Sequence, residues 1–130
     1  MGRLIETFNY LIGLHVKHID MQQSKGFVAV EGRLPTGEKT LVLWRDCELI
    51  SYDDLWSEQD LTVKERAKSV LGKLNFNPRD SEFEIVYING DHNIPSVFTS
   101  TEAEGGITKT LKIRQIEPEF LSRMFATDNM

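Results

Sequence analysis

The sequence predicts an α+β fold, a mixed sheet of about five strands with flanking helices. Three segments rich in β-forming residues follow one another at 16–21, 27–34 and 40–44, separated by short polar turns. A helical segment then leads to a short apolar strand, 84–88, and this strand–helix–strand unit would add a parallel pair. A last segment, 111–116, resumes the alternation of apolar and polar residues.

The first predicted element is an amphipathic helix. Gly13 is placed to end it, because glycine accepts the left-handed conformation of a C-terminal cap. A helix that begins within a few residues of Met1 suits a natural start as well as a piece of a longer protein. Apolar residues at i, i+1, i+4, i+7 and i+8 form one stripe along the helix: Leu4, Ile5, Phe8, Leu11 and Ile12.

The next three strands are expected to form an antiparallel meander. Residues 24–26, Ser-Lys-Gly, separate the first two strands, and residues 35–38, Pro-Thr-Gly-Glu, have the chemistry of a short hairpin loop. Short connections of this kind join strands that run in opposite directions.

Two capping boxes mark helix starts further along the chain. Ser51 precedes Asp54, and Thr62 precedes Glu65, each at the spacing of a capping box. The second is predicted to begin the longer helix, which extends to about Phe76 on an apolar stripe of Val63, Ala67, Val70, Leu71 and Leu74. Residues 77–80, Asn-Pro-Arg-Asp, then break the pattern.

The region from 91 to 110 shows no apolar periodicity. We expect a mobile loop at 99–108, which is rich in small and polar residues. Pro118 suits the first turn of a short closing helix whose apolar stripe is Phe120, Leu121, Met124 and Phe125. Residues 127–130 are expected to be a frayed tail.

Length and composition favour a single globular domain over 1–130. An apolar content of 40% and a charged content of 27% are ordinary for a folded protein, and the single cysteine, Cys47, fits a reducing compartment. No apolar run approaches the roughly 20 residues of a membrane span, and no signal peptide precedes the first helix. A cytoplasmic location, without membrane contact, is therefore expected.

The net charge of −5 argues against a protein that holds DNA mainly through phosphates, since such proteins carry a basic face. Basic residues are scattered, apart from a group on the second predicted helix that is interrupted by Glu65: Lys64, Arg66, Lys68 and Lys73. A solvated helix face explains that group, and any contact with DNA would be a minor one.

Five blocks of sequence together span nearly the whole chain. They are 6–16, 30–32, 41–45, 86–91 and 116–120, the last leading into Met124-Phe125. In this order they resemble the region near the C-terminal end of large adenine-specific DNA methyltransferases, above all the modification subunits of type III restriction–modification systems. The resemblance implies that 1–130 is the C-terminal part of such a methyltransferase, whose cofactor is S-adenosylmethionine.

The motifs that carry catalysis in that family do not occur in this chain. No Gly-x-Gly loop is present to hold S-adenosylmethionine, and no two prolines are adjacent, so the Asp-Pro-Pro-Tyr type tetrapeptide is missing. We therefore expect no catalytic, cofactor-binding or metal-binding residues here. The partners implied are the rest of the methyltransferase chain, a restriction subunit and, through the parent protein, DNA, and a homodimer is a further expectation.

Polar residues follow two of the predicted strands. Arg45 and Asp46 follow 40–44, whereas Asn89, Asp91 and His92 follow 84–88. If those strands are parallel neighbours, these side chains gather at one edge of the sheet, where α/β folds place sites. They could form a binding or hydrolytic site of Asp46, Asp91 and His92, or they could be turn and cap residues with Arg45 paired to an aspartate. The second interpretation is favoured, because turns require the same residue types.

Weaker constellations are set aside. A triad of Cys47 with Asp91 and His92 lacks an activating motif, and a lone cysteine is usually a small buried hydrophobe. His15 and His18 have no further ligands nearby for zinc. Glu31, Lys39 and Asp46 do not keep the spacing of a metal-dependent nuclease. Among the aromatic residues, Trp44 is expected in the core, and Trp56 is the better candidate for an interface.

Three functions are compatible with these observations. The first is a non-catalytic C-terminal domain of a site-specific adenine methyltransferase, supporting subunit assembly or the placement of a partner or DNA. The second is a DNA-binding module of the same parent protein. The third is a free-standing hydrolase that uses Asp46, Asp91 and His92.

Overall fold

A five-stranded mixed sheet organises the part of the chain that the computed structural model describes, which is residues 2–57, 69–76, 78, 82–99, 108–118 and 120. Its strands are β1 (His15–Gln22), β2 (Phe27–Arg33), β3 (Lys39–Arg45), β4 (Ile85–Ile88) and β7 (Lys112–Gln115), in the order β1-β2-β3-β4-β7. A separate antiparallel pair consists of β5 (Val97–Thr99) and β6 (Thr108–Thr110).

The direction of the strands confirms the predicted α+β class. Strands β1, β2 and β3 form the expected antiparallel meander, and β3 pairs with β4 in parallel. Strand β7 joins on the far side of β4, again in parallel, so that β4 has a parallel neighbour on each side. Strands in such a position are normally covered on both faces, and each residue of β4 is fully buried.

Helix α1 (Gly2–Leu11) covers one face of the sheet, and the predicted stop at Gly13 is confirmed by a φ of +70°. Phe8 lies at the centre of this layer, with edge-on ring contacts to Trp44 and Tyr87 and a stacked contact to Phe120. Leu4 belongs to the predicted apolar stripe but is 54% exposed.

The opposite face of the sheet is covered by the chain between β3 and β4. A helical turn, α2 (Val70–Lys73), and the segments around it place Leu55, Leu71 and Phe76 against side chains of β3 and β4 such as Leu43 and Val86. The apolar core thus has two layers, one on each side of the sheet.

The prediction of one continuous helix from Thr62 to about Phe76 is wrong at Ser69. This residue has extended backbone angles, φ −75° and ψ 156°, and its hydroxyl accepts a hydrogen bond from the backbone N–H of Gly72, so it caps a new turn. The turn ends near Asn75, which has a φ of +56°. The capping box of Thr62 and Glu65 lies outside the described residues.

The Ser51 box surrounds only a single 3₁₀ turn, Tyr52–Asp54, in which the Asp54 carboxylate accepts the N–H of Ser51 at 2.9 Å. That bond, together with one from the Ser51 hydroxyl, lowers the pKa of Asp54. The box therefore closes a turn and starts no longer helix.

One prediction near the C-terminal end is corrected in part. The predicted loop at 99–108 is a strand at both of its ends, since Thr99 pairs with Thr108. The sequence did not predict β5 and β6, because a strand of three residues is too short to show a periodicity of apolar residues. Their pairing depends on the reversal of the chain between them. The middle of that loop, 100–107, lies outside the described residues, as do 121–130 and all but Pro78 of the predicted break at 77–80. Residues 116–118 are helical, as the predicted closing helix requires.

Within the described residues, none of the helices has the length and apolar character needed to cross a lipid bilayer.

Replacing Phe8 by alanine should lower the free energy of unfolding by about 3–5 kcal/mol, because it removes the central ring of one core layer. Chemical denaturation followed by circular dichroism measures the change. Tyr10→Ala on the same helix is the matched control: Tyr10 is 84% exposed, and its loss should change stability by about 0.5 kcal/mol or less. Equal losses for both variants would contradict the placement of α1.

Candidate functional site at the carboxyl edge of the parallel strands

The carboxyl ends of β3, β4 and β7 meet at one edge of the sheet because the three strands are parallel. The polar residues that follow β3 and β4 are brought together there, as the sequence predicts for Arg45, Asn89, Asp91 and His92. Strand β7 adds a group that sequence analysis did not include, since the Glu117 carboxylate accepts the backbone N–H of Gly90 at 3.2 Å.

The Asn89 side chain takes the place of a backbone pair between β3 and β4. Its Oδ1 accepts the N–H of Arg45, and its Nδ2 donates to the carbonyl oxygen of Arg45, both at 2.9 Å. An amide side chain can make this two-point contact because it offers one acceptor and two donors. Asn89 thus extends the ladder of hydrogen bonds by one residue beyond Ile88, the last residue of β4.

The guanidinium of Arg45 is buried, with the residue only 4% exposed. It donates through Nη2 to the carbonyl oxygen of Asp91 and through Nη1 to that of Ser51, the latter at 3.4 Å. Its recorded partners are therefore backbone carbonyls, and not the aspartate carboxylate expected from the sequence. Among the described residues, Nε of Arg45 has no hydrogen-bond partner.

Gly90 gives this guanidinium its space. Its φ is +76°, and a Cβ atom built on it would lie 2.8 Å from Nη2 of Arg45. Any side chain at this position would have to displace the arginine and also adopt a backbone conformation that L-residues rarely adopt. Asn89 therefore binds the backbone of Arg45 through its amide, and Gly90 leaves room for the guanidinium of Arg45 because it has no side chain.

Trp56, the predicted interface candidate, is buried in this structure, which does not favour a role at an interface. The residue is 8% exposed and belongs to the core layer that contains Leu55 and Leu71. Its backbone N–H and carbonyl are both bound by the side chain of Asn93, at 3.0 and 2.9 Å, and Asn93 also donates to the carbonyl oxygen of Asp53. Sequence analysis missed Asn93, because the contact joins residues 37 positions apart and no local pattern signals it.

Asp46 uses its polar groups on its own turn. Its carboxylate accepts the N–H of Glu48 at 2.9 Å, and its own N–H donates to the carbonyl oxygen of Gly26 at 2.8 Å. These contacts connect Asp46 to the β1–β2 connection and not to Asp91 or His92. They favour the turn-forming interpretation of Asp46.

His92 is half-buried and accepts the N–H of Ile94 through Nδ1 at 3.1 Å. Burial lowers the pKa of His92, and the positive charge of Arg45 lowers it further, whereas Asp91 opposes the shift. The imidazole is therefore held neutral near pH 7, with Nδ1 already engaged by the backbone.

Cys47 is exposed, which corrects the expectation of a buried cysteine, and its Sγ lies 3.8 Å from Nδ2 of Asn89. In the part of the chain that the structure describes, no group of three or more His, Cys, Asp or Glu side chains is arranged to hold a metal ion. Apart from the contact between Cys47 and Asn89, the hydrogen bonds described at this edge join side chains to backbone groups.

Away from the carboxyl edge, a concave region lies on the sheet face that carries α2. It is a cleft of about 160 Å³ with an apolar floor that includes Leu41, Phe76 and Phe83. Its rim is formed by His18, Asp20, Glu31 and Glu82. The sequence carried a weak signal for it, since polar residues alternate on β1, but the contribution of Glu82 depends on the tertiary fold.

Replacing Asn89 by alanine should lower the free energy of unfolding by about 1–3 kcal/mol, because it leaves two backbone groups of Arg45 without partners. Denaturant titration measures this loss. Asn89→Asp is the informative companion, because it keeps the acceptor for the N–H of Arg45 but sets an oxygen against its carbonyl, and it should not restore stability. Full stability of Asn89→Ala would contradict the two-point contact.

The lowered pKa of His92 has a consequence for stability against pH. Below about pH 6.5, the ordinary value for histidine, the unfolded chain binds a proton that the folded chain resists. The contribution of His92 is thus fully present above about pH 6.5 and is lost as the pH falls through the pKa of the folded state. Thermal unfolding at stepped pH should show a shallower slope for His92→Gln than for the parent chain. His15→Gln, at an exposed position, is the matched control, and an equal slope for His92→Gln would contradict the assignment.

Comparison of this chain with models of protein families, with curated proteins and with solved structures returned no match. The resemblance to type III modification subunits therefore rests on the sequence blocks themselves.

Proposed function

We propose that this chain is a non-catalytic C-terminal domain of a site-specific adenine DNA methyltransferase of a restriction–modification system. It supports subunit assembly or the placement of a partner, and it acts in the cytoplasm together with the rest of the methyltransferase. Target recognition and methyl transfer belong to the parent protein, which holds S-adenosylmethionine. The proposal rests on two observations, the ordered blocks of sequence and the structural role of the polar residues in this domain.

The observation that carries the proposal is that the polar side chains at the carboxyl edge bind backbone groups of this domain. Asn89 binds the backbone of Arg45, Arg45 binds carbonyl oxygens of two loops, and Asn93 binds the backbone of Trp56. These residues stabilise loops, since each satisfies backbone groups that would otherwise be buried without partners. A hydrolase would instead need a base directed at an open substrate site, and Nδ1 of His92 is engaged by Ile94.

The charge distribution supports assembly over DNA contact. The chain has a net charge of −5, and its cleft is rimmed by three carboxylates, those of Asp20, Glu31 and Glu82. A surface of this sign repels phosphates. The DNA-binding alternative would require a basic face, which the scattered lysines and arginines do not favour.

The proposal predicts that this chain neither binds S-adenosylmethionine nor shifts duplex DNA. Isothermal titration calorimetry should give no saturable heat with the cofactor, and micromolar protein should leave DNA mobility unchanged at low salt. A methyltransferase that carries the Phe-x-Gly-x-Gly loop serves as the positive control. Specific cofactor binding would refute the non-catalytic assignment, and a salt-sensitive shift would favour the DNA-binding module.

The same proposal predicts what lies upstream in the genome. Sequencing the DNA before the codon of Met1 should reveal an in-frame extension that encodes the cofactor loop and the Asp-Pro-Pro-Tyr type motif. A stop codon followed by a ribosome-binding site directly upstream of Met1 would refute a methyltransferase origin.

A further inference from the structure

The cleft on the α2 side of the sheet extends across β1, β2 and β3. His18 pairs with Glu31, and Glu31 pairs with Leu41, so that these residues form one row across the strands. Residues directly opposite each other in antiparallel strands present their side chains on the same face, and all three line the cleft. The antiparallel meander therefore supplies one wall, and the chain around α2 and before β4 supplies the rest: Leu74, Phe76, Glu82 and Phe83.

Ala29 leaves space in the wall formed by the sheet. It lies in the middle of the next row, between Asp20 of β1 and Leu43 of β3, and it lines the cleft. Its methyl group is the smallest side chain of the lining. A leucine at this position would extend into the cleft, so the depth of the cleft depends on the alanine.

The size of the cleft limits what it can hold. Its volume is about 160 Å³. A cavity of about 150 Å³ in another protein holds one benzene molecule, so this cleft can take a single ring or a short aliphatic chain. Sites for drug-sized molecules have volumes of roughly 300–1,000 Å³, and a ligand of the size of a nucleotide would not fit inside.

The floor of the cleft is apolar and partly aromatic. Phe76 and Phe83 are buried and meet edge to face, with ring centroids 5.0 Å apart and an interplanar angle of 84°. Nζ of Lys39 lies 5.8 Å from the centroid of Phe83, so this ring already attracts a cation of the protein itself. Leu41, which is also buried, completes an apolar surface on which a small hydrocarbon group can pack.

The rim of the cleft is acidic. Asp20 and Glu31 are half-buried and Glu82 is exposed, so the three carboxylates lie nearer to solvent than the floor does. Lys39 offsets part of their charge. A concave surface lined by one sign of charge raises the local concentration of the opposite ion, and here that ion is a cation. The described residues of the rim are not arranged to hold a metal ion, whereas an organic cation needs only the nearby negative charge.

We propose that this cleft binds a small arylalkylamine, with the ring of the ligand on the floor of Phe76 and Phe83 and its ammonium group among the carboxylates of the rim. The ligand site goes beyond the assembly role proposed above and does not depend on it. The apolar floor and the acidic rim together set the orientation, since the apolar end of the ligand must enter first.

The same polarity disfavours a basic side chain of a partner protein as the occupant. A lysine side chain has its charge at the tip, beyond an apolar stem. It would enter the cleft charge first and would place its ammonium group on the apolar floor, where the loss of hydration is costly. Its stem would then lie between the carboxylates of the rim.

Titration of the isotope-labelled 130-residue chain with phenethylamine tests the site by heteronuclear NMR. The amides of Ala29, Glu31 and Phe83 should show saturable shifts, with a dissociation constant on the order of 0.1–1 mM for a ligand of this size. Shifts that do not saturate by about 10 mM, or that saturate only in residues of α1, would overturn the proposal.

Related compounds separate the contributions of the ring and the charge. Phenethyl alcohol keeps the ring without the charge and should bind about tenfold more weakly, and methylammonium keeps the charge without the ring and should give no saturable shift. Equal binding of the alcohol and the amine would refute a role for the acidic rim. Tighter binding of N-acetyl-lysine amide than of phenethylamine would overturn the proposal in favour of a basic side chain from a protein partner.

Variants assign the binding to the cleft. Ala29→Leu fills the cleft and should abolish the saturable shifts, and Glu31→Gln removes one charge at nearly constant shape and should weaken binding of the amine but not of the alcohol. Glu6→Gln is the matched control, because it changes an exposed carboxylate of α1 on the other side of the sheet. Circular dichroism verifies folding, and Glu31→Gln provides the test if Ala29→Leu does not fold. Amine binding that is unchanged in Glu31→Gln would overturn the assignment.

Discussion

Burial of β4 on both faces is the constraint on which the rest of the structure depends. Ile85, Val86, Tyr87 and Ile88 are excluded from water, and each face of the sheet must therefore be covered by a separate layer. Helix α1 provides one layer through Phe8, and the chain between β3 and β4 provides the other through Leu55 and Leu71. Because β4 has parallel neighbours on both sides, the carboxyl ends of three strands meet at one edge.

The polar residues of the candidate site lie at this edge, where the parallel strands end. Asn89 continues the hydrogen bonding of β4 through its side chain, and Gly90 leaves room for the buried guanidinium of Arg45. Arg45 in turn binds two loops through their carbonyl oxygens. A buried cation is costly to desolvate, so the two carbonyl oxygens that accept from Arg45 offset part of that cost. Burial lowers the pKa of His92, and the charge of Arg45 lowers it further.

The surfaces available to partners lie elsewhere. Among the described strands β1 lies at the end of the sheet, and it carries incompletely covered apolar side chains, while the cleft beside it is acidic. These surfaces support the proposed contact with protein more than a contact with DNA phosphates. The register of β1 with β2 shifts between Val16 and His18, which makes Lys17 a β-bulge. The bulge places Val16 on the same face as Ile19, so that β1 has one apolar and one polar face.

The sequence by itself determined the elements whose signal is local. The spacing around Phe8 predicted α1 and a moderate alternation predicted β1, because burial of one face imposes a period that can be read within a few residues. Runs rich in β-forming or apolar residues predicted β2, β3 and β4. It also brought Arg45 and Asn89 to the same edge. Only the tertiary structure decided that Trp56 is buried, that a new helical turn begins at Ser69 and that Arg45 binds carbonyls instead of a carboxylate. Each of these outcomes depends on partners distant in sequence or on competition among polar groups for the same backbone atoms, and neither leaves a periodic trace in the chain.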